Sequence, residues 1–153
     1  MRYIFNQKSK VMEVNMKKGF AFFAAVIMVF GLVACSDSIK DVAIDYGKSD
    51  IYSKSDMDAA IELIEKEFAT WEGCELHSIS YTSDECNSEK NLEWMNDLGD
   101  ENAEFTQCIE FVSDFHSPKA GGGAWNADSE YTNWQWWLAR ADNGEWNLMT
   151  WGY

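Results

Sequence analysis

Between Met57 and Trp71 the large apolar residues Met57, Ile61, Ile64, Phe68 and Trp71 recur at steps of four, three, four and three. That spacing lays one apolar stripe along an α-helix. Glu62, Glu65, Lys66 and Glu67 fall mostly off the stripe. Ser53 is placed to cap the helix, with Asp56 three residues on as an acidic form of the capping box. Tyr52 and Met57 sit where a hydrophobic staple closes the entry, and Gly73 is placed to stop the helix. The pattern predicts a helix from about Ser53 to Trp71. A second, shorter helix is predicted from Asn87 or Ser88 to Leu98, with Leu92, Met95 and Leu98 inward and Gly99 as its stop.

Elsewhere the period is two. Glu75 to Tyr81 reads as a strand. Phe105 to His116 reads as a long one, with Phe105, Ile109, Phe111 and Phe115 on one side and Cys108, Glu110, Val112, Asp114 and His116 on the other. A loop built on Pro118 and Gly121-Gly122-Gly123 leads to two last strands. Asn143-Gly144 between these is a favoured type I′ hairpin pair, because both residues tolerate positive φ. That turn sets a register. Trp134 then faces Tyr153, Trp136 faces Trp151, Leu138 faces Met149 and Arg140 faces Asn147, all on one sheet face. Trp137 with Thr150, Ala139 with Leu148 and Ala141 with Trp146 share the other. The first stripe is expected under the first helix or lining a cavity, with Trp137 the more accessible. The fold class read from these elements is α+β. A long N-terminal helix packs on a curved antiparallel sheet of about four strands, with a second short helix, in a single domain over residues 52–153.

The order helix, strand, short helix and three antiparallel strands resembles the cystatin-like α+β roll. The segment Gly144-Glu145-Trp146-Asn147-Leu148-Met149-Thr150-Trp151 is similar to the closing strand of proteins of the nuclear-transport-factor-2-like superfamily. The resemblance implies a sheet curved around a pocket. This chain lacks the several N-terminal helices that most members have. The superfamily includes enzymes, binding modules and lipoproteins, so the resemblance implies no single activity.

The strongest apolar run is N-terminal. Lys17-Lys18 precede an uncharged stretch from Gly19 to Val33 that closes in Gly31-Leu32-Val33-Ala34-Cys35. A basic start, an apolar stretch and small residues at its end are the parts of an export signal. The closing residues resemble the lipobox of bacterial lipoproteins, which implies cleavage before Cys35 and a diacylglycerol on its thiol. The run is shorter than the roughly 20 apolar residues of a membrane-spanning helix. Acyl chains on Cys35 supply stable anchoring, at about 0.8 kcal/mol per buried methylene. The expected organisation is therefore a mis-called start over residues 1–15, a lipoprotein signal peptide over 16–34, and a lipidated cysteine with its tether over 35–51. The expected location is the extracytoplasmic face of a cell membrane, held by lipid.

Charge narrows the partners. Residues 36–153 hold seven basic residues against 25 acidic ones, a formal charge of −18. Such a field disfavours nucleic acid and anionic lipid. The acids form no D-x-D-x-D-G calcium loop, and there is no C-x-x-C or H-x-x-x-H zinc spacing. No metal or cofactor is expected. Cys74, Cys86 and Cys108 allow one bridge and leave one thiol. Antiparallel pairing of the first and long strands brings Cys108 near the strand end that Cys86 follows, so Cys86–Cys108 is the expected disulfide.

Six of the eight tryptophans lie between Trp125 and Trp151. Trp134, Trp136 and Trp151 are candidates to stack on a flat ligand or sugar, though aromatic rings also bury the most area of any side chain. Asp114 and His116, two apart on one strand side, are candidates for the same site. Such a pair can do acid–base work, but no serine or cysteine nucleophile can be assigned to it. The expected activity is non-enzymatic binding of a small ligand, a glycan or an envelope protein by a monomer. The alternative is a small hydrolase or isomerase using Asp114 and His116.

Overall fold

The computed structural model describes residues 39–102 and 104–153. The chain runs through β1 (Ala43–Asp45), α1 (Lys54–Phe68), β2 (Glu75–Tyr81), a 3₁₀ turn (Asp84–Asn87), α2 (Glu89–Leu98), β3 (Gln107–His116), β4 (Glu130–Arg140) and β5 (Asn147–Gly152). The five strands form one mixed sheet in the order β1-β2-β3-β4-β5. The α+β class stands. The expected four antiparallel strands are five, because β1 adds to β2 in parallel. β1 lies within the stretch expected to be tether. Its alternation Val42, Ile44, Tyr46 is the cause: these residues are partly buried against the core. Consequently α1 follows an edge strand rather than opening the fold.

α1 starts as its sequence dictates. Ser53 accepts the Asp56 N–H, and the Asp56 carboxylate accepts the Ser53 N–H, a complete capping box. The helix ends at Phe68, three residues short of the expected Trp71, and a turn carries the chain onward to Gly73. Met57, Ile61, Ile64 and Phe68 are buried as the stripe requires. They pack on the sheet face carrying Ile109, Phe111, Phe115, Trp136 and Leu138, all fully buried.

α2 and the 3₁₀ turn before it cover part of the other face. Met95 is buried, but Leu98, expected inward, is 47% exposed because the helix ends there. Trp94 of α2 packs edge-on to Trp137, with ring centroids 5.3 Å apart. Trp137 is thus 8% exposed, contrary to the expectation that it is the accessible tryptophan of the hairpin. Both faces of this sheet are covered at β4, so alternation there separates two buried environments.

Three one-residue irregularities shape the sheet. The register of β2 on β3 shifts at His77, that of β4 on β3 before Trp134, and that of β5 on β4 at Met149. The last corrects the hairpin. Gly144 donates its N–H to the Ala141 carbonyl at 2.7 Å, and Asp142 and Asn143 both have positive φ, at 42° and 60°. The type I′ turn is therefore centred on Asp142-Asn143, one residue earlier than Asn143-Gly144. Gly144 serves differently: a Cβ there would lie 2.9 Å from the Ala141 carbonyl oxygen. Next to the turn, Ala139 pairs with Asn147 and Leu138 with Leu148, in place of the expected Arg140–Asn147 and Leu138–Met149 pairs. Met149 is then the extra residue, and beyond it Trp137 pairs with Thr150 and Trp136 with Trp151, as expected.

Phe68 reports on this packing most directly, being fully buried between α1 and Phe115. Phe68→Ala is expected to cost about 3–5 kcal/mol in chemical denaturation. A loss below about 1 kcal/mol would contradict the packing of α1 on the sheet.

Candidate functional site

Trp71, Trp125, Trp134, Trp136 and Trp151 gather on the α1 face of the sheet at the C-terminal end of the helix. Asn133, at φ 55°, is part of the β4 bulge, and its N–H is held by the Asp114 carboxylate at 2.9 Å. The bulge breaks the alternation, so Tyr131 opposes Phe115 and Trp134 opposes Ser113, both on the buried face. Phe115 stacks on Tyr131 at 4.8 Å and meets Trp134 edge-on at 5.8 Å. The loop after β3 adds a further ring. Fully buried Ser117 donates to the Asn126 carbonyl and accepts the Ser129 N–H, which folds the loop back and sets Trp125 on Trp71 and Trp134.

Through this cluster runs a ladder of indoles. Trp71 stacks on Trp136 at 5.1 Å, and Trp136 stacks on Trp151 at 6.0 Å. Trp136 is fully buried and donates its N–H to Ser113 at 2.9 Å. The ladder opens at β5: Trp151 is 41% and Tyr153 77% exposed. Tyr153 meets Trp134 edge-on at 5.0 Å. The indole N–H of Trp134 is buried with no hydrogen-bond partner among the described residues.

Of the sequence candidates, Trp134, Trp136 and Trp151 therefore come together. Asp114 and His116 do not join them, since they occupy the opposite side of β3. They do not pair with each other either. Asp114 is engaged by the Asn133 N–H, while His116 Nδ1 lies 2.7 Å from Glu130 and its Nε2 lies 3.1 Å from Asp128. His77 Nδ1 approaches the other Glu130 oxygen at 3.7 Å. Hydrogen bonding to Glu130, then to Asp128, raises the His116 pKa. Among the described residues no cluster of three or more His, Cys, Asp or Glu has the makings of a metal site. Cys35 lies outside the described residues.

The expected Cys86–Cys108 disulfide is absent, although the two residues are neighbours. Cys74, Cys86 and Cys108 are all buried free thiols. Cys108 Sγ points at the Cys86 carbonyl, 3.0 Å away, and Cys86 Sγ at the Cys108 carbonyl, 3.5 Å away. Burial raises all three thiols, Cys108 to about 12, which disfavours the thiolate a nucleophile needs.

Sequence reasoning missed a cleft of about 600 Å³ between the start of α1 and the β4–β5 loop. Ala59, Leu63 and Trp146 give it an apolar lining, and Glu62 and Glu145 are exposed on it. Arg140, only 4% exposed, lies in its floor. The guanidinium donates to Asp56 at 2.7 Å and to Gln107 at 2.7 Å, and stacks over the Trp146 ring at 4.2 Å. Its charge is committed inside the protein. The signal available in the sequence was an arginine at the end of an otherwise apolar strand stretch, with Asp56 already doubling as a cap.

The His116 pair carries a testable pH dependence. Its folded pKa lies above the ordinary value of 6.5. The stabilisation is therefore complete below about pH 6.5 and is lost as pH rises through the folded value. Thermal melts of the protein and of His116→Gln should differ most below pH 6.5 and converge as pH rises. A gap that widens with rising pH would contradict the assignment.

No protein-family model, curated protein or solved structure matches this chain.

Proposed function

We propose that the chain is an exported lipoprotein anchored through lipid on Cys35, and that its domain is a non-enzymatic binding module for a small ligand, a glycan or an envelope protein. The observation that carries the binding reading is the open end of the indole ladder, where Trp151 and Tyr153 face solvent beside partly buried Trp134 and fully buried Trp136. Exposed aromatic rings on one side of a sheet edge, each packed on an inner tryptophan, mark contact surfaces. The rings are held by packing before any ligand arrives, which lowers the entropy cost of binding.

The groups an enzyme of the Asp–His type needs are committed elsewhere. Asp114 holds a β-bulge, His116 bridges two carboxylates, and the three thiols are buried with raised pKa values. Support for the anchor comes from the residues between Lys17 and Cys35 and from their order. The cystatin-like resemblance fits the same reading, with one adjustment. Phe68, Trp71 and Trp136 fill the sheet face, so the ligand surface lies at the rim of the sheet rather than in a deep cone.

Cys35→Ala should release the protein from membranes or block its processing, seen by fractionation and by loss of acyl label. A variant that matures normally and stays membrane-bound would overturn the lipoprotein reading.

A further inference from the structure

The eight residues from Trp146 to Tyr153 contain no Asp, Glu, Lys or Arg, in a chain whose residues 36–153 carry 25 acids. They include β5, the edge strand of the sheet. On that edge Trp151 and Tyr153 point to the same side, because one meets Trp136 and the other Trp134. The result is an uncharged aromatic window in an acidic protein.

We infer that this window binds a neutral polysaccharide, with a pyranose ring stacked on Trp151. The inference rests on the binding-module reading and narrows it to one ligand class. Three features select that class. The first is shape. Trp151 is backed by Trp136 and Trp71 and offers a flat, rigid apolar surface open on one side. A wholly apolar ligand gains most from enclosure on all sides, whereas a sugar has one C–H face to bury and a rim of hydroxyls to leave in water.

The second is the unpartnered indole N–H of Trp134, next to Tyr153. The rings that Trp134 meets, those of Trp71, Phe115, Trp125, Tyr131 and Tyr153, offer it only weak acceptors. A sugar hydroxyl reaching in beside the exposed Tyr153 ring, with the sugar packed against that ring, supplies the acceptor it lacks.

Charge is the third. The field of the protein repels acidic sugars, nucleic acid and a second copy of this chain. A basic peptide is drawn by the same field, but the run from Trp146 to Tyr153 holds no carboxylate of its own to pair with its ammonium or guanidinium groups.

The test uses the full chain in neutral-lipid nanodiscs. Cellohexaose, chitohexaose and maltohexaose are titrated to millimolar concentration, with oligogalacturonate as the acidic control. Tryptophan emission and indole N–H resonances are followed. A neutral oligosaccharide should bind saturably and shift the Trp134 and Trp151 signals, while oligogalacturonate does not. Trp151→Ala should weaken binding about tenfold or more, a loss of about 1.4 kcal/mol. Trp134→Phe, which keeps a ring and removes the N–H, and Tyr153→Ala should each weaken it a few-fold. Tyr153 is largely exposed, so its variant remains informative if Trp151→Ala fails to fold. Failure of every neutral oligosaccharide to bind, or binding that Trp151→Ala and Tyr153→Ala leave unchanged, would overturn the inference. A protein partner that needs Trp151 while the oligosaccharides fail would also overturn it, and would leave the broader binding reading standing.

Discussion

One residue, Asp56, ties together three parts of the fold: the start of α1, the end of β4 and the approach to β5. Its Oδ2 caps α1 through Ser53, its Oδ1 accepts the Arg140 guanidinium from the end of β4, and its backbone carbonyl accepts the Trp146 indole N–H just before β5. Arg140 in turn lies flat over Trp146. The Ser53 hydrogen bond first, and Arg140 second, hold the Asp56 pKa below the ordinary carboxylate value. A pair with one member this deeply buried is costly to desolvate, and it is tolerable only because Gln107, Asn143 and the Trp146 ring complete the guanidinium's environment. What the pair supplies is placement. It fixes the start of the helix against the base of the hairpin.

The far end of the sheet depends on irregularity as much as on regular pairing. A strand of strict alternation would send Tyr131 and Trp134 to opposite faces, since they are three positions apart. The bulge braced by Asp114 puts both on the α1 side. At the other edge, a turn placed one residue early displaces the pairing by two, and one extra residue between Gly144 and Asn147 together with Met149 restores Trp136 to Trp151. Two local defects thus assemble one indole ladder, and the free edge of β5 leaves its last rung in solvent. The acidic surface elsewhere keeps that rung from being one sticky patch among many.

Much of this was legible in the sequence where a single physical rule operated. The stripe Met57, Ile61, Ile64, Phe68 and the Ser53–Asp56 box define α1 to within one residue at its start. The strand Glu75–Tyr81 is found as read, and Asn143-Gly144 locates the hairpin. The misses lie where two rules compete. The turn sits on Asp142-Asn143 because Gly144 is needed for its lack of a Cβ rather than for positive φ. β1 was hidden because three residues give too short an alternation to stand out in a polar stretch. Trp137 was expected in solvent because α2 was not placed over it. The Asp114–His116 pairing looked plausible from spacing alone. A side-chain to backbone bond to Asn133 and a carboxylate pair around His116 were invisible without coordinates.

The account turns on the junction between Asp56 and Arg140, and a double-mutant cycle measures it. Asp56→Asn, Arg140→Gln and the double variant would be compared by chemical denaturation, with the Trp151 indole resonance recorded for each. A coupling energy above about 1 kcal/mol is predicted, together with a shifted Trp151 signal in each single variant. Additive losses, with a coupling within about 0.3 kcal/mol of zero and an unmoved Trp151 signal, would contradict the claim that this junction sets the hairpin and its aromatic ladder.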